Sequence, residues 1–242
     1  MTTNNDIRGI IFDYGGTIDS RGDHWSEVIY DQYIAHGLTL DWETFKPAYI
    51  HAERYLATHP LVKPNFTFAD LMRVKIAIEM EFLAQNGIAA AADKALAETI
   101  ADGCYRHART CVGEAAVTLK ALAEHYPLVA VSNFYGNIDS VLRDFDIRQY
   151  FRGVIESAVV GVRKPDPRIF TLGCVVLNLP AEQVLVVGDS ISKDISPARS
   201  IGCHTAWIRG RQWRDDDPKK MLAEKSTTLP EIANALLRDF KN

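Results

Sequence analysis

The sequence lacks the features that mark several classes of protein. Its four cysteines lie far apart and form no CxxC pair, so neither a zinc knuckle nor a redox dithiol is expected. No uninterrupted apolar run approaches the length of a membrane span. The first residues, MTTNNDIRG, have no basic start with an apolar stretch behind it, which argues against a secretory signal. We therefore predict a reduced, cytoplasmic protein that is not bound to a membrane.

The sequence also lacks an excess of basic residues. It has 27 Lys and Arg against 31 Asp and Glu, which gives a net charge of -4, and 47% of its residues are hydrophobic. These values are typical of an ordinary globular protein and give no support to a nucleic-acid partner, which usually requires a basic patch. A chain of 242 residues suits one domain with an insertion, or two small domains.

Short apolar runs rich in β-branched residues recur along the chain, and each ends in a polar or glycine-containing turn. Stretches of helical period separate the later runs. Strands that alternate with helices predict an α/β fold, a Rossmann-like, doubly wound parallel sheet whose two faces are covered by helices. The five predicted strands are IRGIIFDY, PLVAVSN, GVIESAVV, EQVLVVGDS and CHTAWIRG.

The segment from residue 20 to residue 112 breaks this alternation. Its apolar residues recur at spacings of three and four, as amphipathic helices require. We therefore predict an all-helical cap at 20–112, inserted into a core formed by 1–19 and 113–242. Near the end of the core, RQWRDDDPKK predicts a charged loop and LPEIANALLRDF a closing helix.

Polar side chains cluster at the predicted carboxyl ends of the strands. Since these ends meet at one edge of a parallel sheet, the side chains are expected to converge there, where ligands of such folds bind. A lysine directly before Pro-Asp-Pro and two aspartates after VLVVG belong to the set. In chain order the residues are Asp13, Ser132, Asn133, Lys164, Asp189 and Asp194.

The order and spacing of these residues are similar to those of the haloacid dehalogenase superfamily, most of whose members are phosphatases with an aspartate nucleophile. IIFDYGGTID resembles the first motif of that family, LVAVSN the second, RKPDP the third and VLVVGDSISKD the fourth. The resemblance covers residues 7–19 and about 113–208, and the helical insertion lies where the largest group of the family carries a mobile cap. The resemblance implies a hydrolase that acts on a small phosphorylated compound.

The resemblance also implies a role for each motif residue. Asp13 is expected to attack phosphorus and form an aspartyl-phosphate, while the ammonium of Lys164 neutralises the nucleophile and the transferred group. The residues expected to bind the phosphorylated substrate are Gly16, Thr17, Ser132, Asn133 and Lys164.

A magnesium ion is the cofactor that the resemblance implies. Carboxylates, a backbone carbonyl, waters and substrate phosphate suit the octahedral geometry of Mg²⁺. The expected protein ligands are Asp13, Asp189, Asp194 and the carbonyl of Gly15. Nothing in the sequence fixes the substrate itself or the oligomeric state.

Position 15 departs from the pattern of the family, whose phosphatases carry a second aspartate there as general acid and base. The chain has glycine instead. Loss of a positioned acid slows a reaction by roughly a hundred to ten thousand fold, and leaving groups of low pKa suffer least. Asp19, Asp23 and His24 lie just beyond this motif and are the candidates for a replacement acid.

Gly15 leaves two other functions open. One is a non-catalytic phosphometabolite-binding or scaffolding protein that kept the fold. The other is a C–P hydrolase similar to the phosphonoacetaldehyde hydrolases, which carry alanine at this position and use a cap lysine as a Schiff base. The lysines of the insertion are Lys46, Lys63, Lys75 and Lys94. Haloacid dehalogenases proper abandon the magnesium aspartate, so Asp189 argues against that branch.

Overall fold

The computed structural model describes residues 6–213 and 225–238. In this part of the chain, six strands form one parallel sheet: β1 (Gly9–Phe12), β2 (Leu128–Ser132), β3 (Phe151–Glu156), β4 (Val184–Gly188), β5 (His204–Ile208) and β6 (Ser226–Thr227). Their order across the sheet is β3-β2-β1-β4-β5-β6. The predicted α/β fold with a parallel sheet is therefore confirmed, and the short β6 is an addition to the five predicted strands.

Strand β1 lies in the middle of the sheet, between β2 and β4. Ile11 is in register with Val129 on one side and with Val186 on the other. All three central strands are buried along their whole length, because helices cover both faces of a parallel sheet. The two faces pack into separate hydrophobic clusters. The residues that follow β1, β2 and β4 thus reach the same edge of the sheet.

Four long helices lie between β1 and β2, as the spacing of apolar residues predicts. Side chains of Asp41, Thr67 and Asp93 accept hydrogen bonds from backbone amides in the first turns of the second, third and fourth helices, which stabilises these starts. The fourth helix is continuous through residues 112 and 113, so the proposed boundary between cap and core lies within it. The helices are α1 (Trp25–Ala35), α2 (Trp42–Thr58), α3 (Phe68–Gln85) and α4 (Lys94–Ala123).

Shorter helices connect the remaining strands and cover the sheet. A π-helical turn, Ile191–Ile195, follows β4 and carries Asp194. The closing helix begins at Leu229, as predicted, whereas residues 214–220 of the predicted charged loop lie outside the described residues. Within the described ranges, no helix has the length and apolar character needed to cross a bilayer. The helices are α5 (Ile138–Asp144), α6 (Ser157–Val160), α7 (Arg168–Leu177), α8 (Ser196–Ser200) and α9 (Leu229–Leu236).

Candidate active site

A cavity of about 530 Å³ opens at the carboxyl edge of the sheet. Its floor is formed mainly by residues that follow the central strands. Its upper wall is formed by side chains of α2, α3, the segment around His24, the loop after β2 and Trp213. The floor includes Asp13, Ser132, Lys164, Asp189 and Asp194. The structure therefore brings together residues that are as many as 181 positions apart in the sequence (194 − 13).

Asp13 follows β1 directly, and its amide continues the sheet by donating to the carbonyl of Val187 at 2.9 Å. The side chain is only 5% exposed. One carboxylate oxygen accepts a hydrogen bond from Lys164 Nζ at 2.5 Å, and the other accepts one from Thr17 Oγ1 at 3.0 Å. This carboxylate is thus held in one orientation at the floor of the cavity.

Lys164 links two carboxylates of the floor. Its ammonium donates to Asp13 and, at 2.7 Å, to Asp194, and its side chain is 3% exposed. Burial alone would lower the pKa of Lys164, but the charges of Asp13 and Asp194 raise it above its ordinary value. The lysine is therefore protonated over the physiological range and contributes a fixed positive charge.

The amide of Asn133 positions Lys164. Asn133 Oδ1 accepts a hydrogen bond from Lys164 N at 2.9 Å, and Asn133 Nδ2 donates to Lys164 O at 3.0 Å. Both polar atoms of this side chain are therefore used to clamp the backbone before Pro165. The expectation that Asn133 binds substrate stays a prediction, although the residue does line the cavity.

Three carboxylates form a buried cluster that suits a divalent cation. Oxygens of Asp13, Asp189 and Asp194 lie within 4.8 Å of one another. Burial raises the pKa of Asp194 to about 6, although Lys164 opposes the shift. Burial and the two neighbouring carboxylates also raise the pKa of Asp189 well above its usual range. With only one lysine beside them, the three carboxylates therefore resist ionising together, and a divalent cation would relieve this. Hard oxygen ligands of this kind match magnesium.

The glycine turn after Asp13 separates two very different positions. No heavy atom lies within 4 Å of where a side chain at Gly15 would begin, whereas a Cβ on Gly16 would lie 2.5 Å from Asp189 Cγ. Gly16 also has a φ of +95°, a conformation that favours glycine. Gly16 N donates to Asp19 at 2.7 Å. Gly16 is thus required for close approach to Asp189, and Gly15 is not.

Two hydroxyl groups predicted to bind substrate have different surroundings. Thr17 is fully buried, and its Oγ1 lies 3.0 Å from Asp13 and 3.2 Å from Asp189. Ser132 ends β2 and lines the cavity. In the described part of the chain, no hydrogen bond is made by the Ser132 hydroxyl, so this group is available to a ligand. The substrate-binding roles of both residues stay predictions.

None of the three candidates for a replacement acid is well suited to that role. Burial raises the pKa of Asp19 to about 8, but both of its oxygens accept hydrogen bonds from neighbours, one of them from Trp25. Asp23 forms an ion pair with Arg211. His24 does line the cavity, but burial lowers its pKa to about 3. His24 is therefore neutral at physiological pH.

The upper wall contains a polar group that sequence reasoning did not identify. Glu53 accepts hydrogen bonds from Lys75 and from the hydroxyl of Tyr135, and all three residues line the cavity. They come from α2, α3 and the loop after β2. In the sequence, Lys75 is one of four lysines of the insertion. Glu53 lies 22 positions before it and Tyr135 lies 60 positions after it, so no local spacing connects the three residues.

The sequence of this chain is similar to those of known hydrolases and phosphatases. A family model described as a haloacid dehalogenase-like hydrolase matches residues 7–202. A glyceraldehyde 3-phosphate phosphatase of Pyrococcus abyssi is 25% identical over 74% of this chain and 70% of its own length. The 5-amino-6-(5-phospho-D-ribitylamino)uracil phosphatase YigB of Escherichia coli is 37% identical, but the match covers only 38% of this chain and 37% of YigB.

Solved structures share the architecture over nearly the whole chain. The putative hydrolase YfnB of Bacillus subtilis, determined with bound magnesium, has a TM-score of 0.53 and 17% identity, with 95% of this chain and 98% of YfnB covered. At this level of identity the comparison supports the fold, while the site must be argued from the residues of the chain itself.

Proposed function

This chain belongs to the haloacid dehalogenase-like hydrolases, and on that premise we propose that it is a magnesium-dependent phosphatase of small phosphomonoesters. The observation that carries the proposal is the buried carboxylate of Asp13, held by Lys164 and Thr17 beside Asp189 and Asp194. Curated relatives named as phosphatases of two phosphomonoesters support the reaction class. The individual substrate is not carried over from them.

The proposed reaction has two displacements at phosphorus. An oxygen of Asp13 attacks phosphorus, the bond to the ester oxygen breaks, and an aspartyl-phosphate forms. Water then attacks the same phosphorus, the bond to Asp13 breaks, and inorganic phosphate leaves. Lys164 offsets negative charge in both steps, and the Ser132 hydroxyl donates to a phosphoryl oxygen. In-line positioning and charge neutralisation are what phosphoryl transfer mainly requires of a protein.

The residues that would hold Mg²⁺ are Asp13, Asp189, Asp194 and the carbonyl of Gly15. Such an ion supplies positive charge to the phosphoryl oxygens and orients them. The three buried carboxylates fit it, because Lys164 alone leaves their charges unbalanced. Removal of the ion should therefore weaken both substrate binding and stability.

The glycine at position 15 shapes the proposed specificity. Since no carboxyl group follows Asp13 at this position, the departing oxygen takes its proton from water. Esters and acyl phosphates whose leaving groups have a low pKa should therefore react fastest. Gly15 is also the feature that favours the non-catalytic alternative, but the intact Asp13, Lys164 and Asp189 favour an enzyme.

Lys75 bears on the C–P hydrolase alternative because, among the described lysines of the insertion, it alone lines the cavity. Burial alone would lower its pKa, but the Glu53 carboxylate beside it raises that pKa well above the ordinary value. A Schiff base requires a neutral amine. The ion pair with Glu53 therefore supports phosphomonoester hydrolysis over the lysine-dependent reaction. The cytoplasmic location stays a prediction.

A panel of substrates tests the proposal. Release of phosphate is measured from acetyl phosphate, p-nitrophenyl phosphate, sugar phosphates and nucleoside monophosphates, with Mg²⁺ or with EDTA, for the wild type and Asp13→Asn. We expect turnover that needs both the metal and Asp13 and that is fastest for the good leaving groups. Binding of these compounds without any turnover would instead support the non-catalytic alternative.

A further inference from the structure

The upper wall of the cavity carries six aromatic side chains. Rings approach the cavity from both the insertion and the core, and several pack on one another. Tyr49 and Trp213 have ring centroids 5.7 Å apart, and those of Phe134 and Tyr135 are 5.3 Å apart. Walls of this kind suit flat, apolar bodies. The tryptophan, tyrosine and phenylalanine residues that line the cavity are Trp25, Tyr49, Phe68, Phe134, Tyr135 and Trp213.

A single carboxylate interrupts this aromatic wall. Apart from the three aspartates of the floor, Glu53 is the only acidic residue among the described residues that line the cavity. Its side chain is 37% exposed, although it makes an ion pair with Lys75, whose side chain is only 3% exposed. The lysine is thus hidden behind the carboxylate. Although both residues line the cavity, the carboxylate is the far more exposed member of the pair.

Two neighbours fix the orientation of Glu53. Lys75 donates to one carboxylate oxygen, and the hydroxyl of Tyr135 lies 2.9 Å and 3.0 Å from the two oxygens. Lys75 also lies 4.4 Å from the centre of the Tyr49 ring, which further restrains it. A group held in this way has already lost its rotational freedom, so a ligand that binds it does not bear that entropic cost.

The acceptor capacity of Glu53 is not exhausted by these neighbours. An ionised carboxylate offers about four lone-pair positions and no donor. Lys75 and Tyr135 supply two protons between them. The Lys75 charge lowers the pKa of Glu53 although burial opposes it, so the group stays ionised. It can recognise only a donor, and it repels a second anionic group.

On the basis of the proposed function, we infer that the leaving group of the substrate carries a flat ring with N–H donors and that Glu53 is the residue that recognises them. The aromatic wall provides the surface for the ring, and the preoriented carboxylate provides the acceptor. Glu53 is therefore a specificity-determining residue, distinct from the phosphoryl-binding floor. Lys75 and Tyr135 are positioning residues for it.

Binding of phosphonates tests this inference without depending on turnover. Benzylphosphonate is compared with 3- and 4-aminobenzylphosphonate by calorimetry in the presence of Mg²⁺. We expect at least one amino compound to bind about tenfold or more tightly, which is the order expected for a hydrogen bond to a charged group. Equal affinities for all three compounds, or no binding of any, would overturn the inference.

Variants assign the preference to Glu53. Glu53→Gln should reduce it, and the double variant Glu53→Met, Lys75→Met should abolish it without leaving a buried unpaired lysine. Arg54→Gln is the matched control, since Arg54 is an exposed neighbour on α2 that lines the same cavity; it should keep the preference. A preference that survives in a folded double variant would show that Glu53 is not the recognition group.

Hydrolysis separates this inference from the proposed function. Phosphate release is compared for phenyl phosphate and 4-aminophenyl phosphate, whose leaving groups are similarly basic. Selective binding of the aminobenzylphosphonates without hydrolysis of either ester or of any compound of the panel above would refute the proposed phosphatase, while Glu53 would still be the group that recognises the N–H donors of a bound ring. Hydrolysis of both esters at equal kcat/KM, together with equal phosphonate affinities, would refute the inference alone.

Discussion

Replacement of Gly15 by aspartate restores the carboxyl group that the phosphatases of the family carry two residues after the nucleophile. The structure has room for it, because no heavy atom lies within 4 Å of the Cβ position. Gly15 is not one of the glycines that have a positive φ, so an L-residue at this position causes no backbone strain. Gly15→Asp is therefore expected to fold.

The size of the effect follows from the role of the missing acid. A positioned general acid contributes roughly a hundred to ten thousand fold to the rate, which corresponds to about 3–5 kcal/mol of activation free energy. This gain applies to sugar phosphates and other alkyl esters, whose leaving oxygen needs a proton. Acetyl phosphate should gain much less, because its leaving group departs without protonation.

The assay measures kcat for phosphate release from a sugar phosphate and from acetyl phosphate. It is carried out with Mg²⁺ on the wild type, Gly15→Asp and Gly15→Asn. The asparagine variant has the same shape and no acidic proton, so it should show no gain. Gly16→Ala is the contrasting control, since its Cβ would overlap Asp189, and it should lose activity. The reasoning is refuted if folded Gly15→Asp gains nothing on the sugar phosphate, or if Gly15→Asn gains as much.

Further predictions concern the metal, the lysine clamp and a buried acid. Asp189→Asn should remove most of the Mg²⁺-dependent rise in Tm, measured with and without EDTA; an unchanged rise would contradict the assignment of this ligand. Asn133→Ala should lower kcat about tenfold or more with a smaller change in KM, because Lys164 loses two backbone hydrogen bonds; a change in KM alone would point to direct substrate binding. Burial raises the pKa of Glu79 to about 7, so the folded state binds a proton more tightly than the unfolded state, and stability falls as pH rises from about 4.5 through 7. Relative to the wild type, Glu79→Gln should therefore gain about 2 kcal/mol in the free energy of unfolding between pH 5 and pH 8. Denaturant titrations at both pH values check this, and a pH-independent difference would contradict it.

The floor of the site could be predicted because one structural rule connects its members. Asp13, Ser132 and Asp189 each lie at the end of a buried strand, and parallel strands bring such ends to one edge. Local sequence therefore contains enough information to place them together. The same rule predicts the parallel sheet from the apolar runs, although part of GVIESAVV forms helix α6 and not strand.

The upper wall could not be predicted in this way. Glu53, Lys75 and Tyr135 come from three elements whose relative positions depend on how the helices of the insertion pack on the core. Helical periodicity shows which face of a helix is apolar, but it does not show which polar residue at the edge of that face meets a cavity. The hydrogen bonds between the Asn133 side chain and the Lys164 backbone could not be predicted for the same reason, because they depend on contact between two loops that are 31 residues apart.

The central claim is that Asp13 is the nucleophile, and trapping the phosphorylated protein tests it most directly. The wild type is mixed with acetyl phosphate and Mg²⁺, quenched in acid within its first turnover, digested and analysed by mass spectrometry. The account predicts one added phosphoryl group on the peptide that contains Asp13, labile to hydroxylamine and absent from Asp13→Asn. Turnover of acetyl phosphate that persists in Asp13→Asn, or a phosphoryl group on another residue, would contradict it.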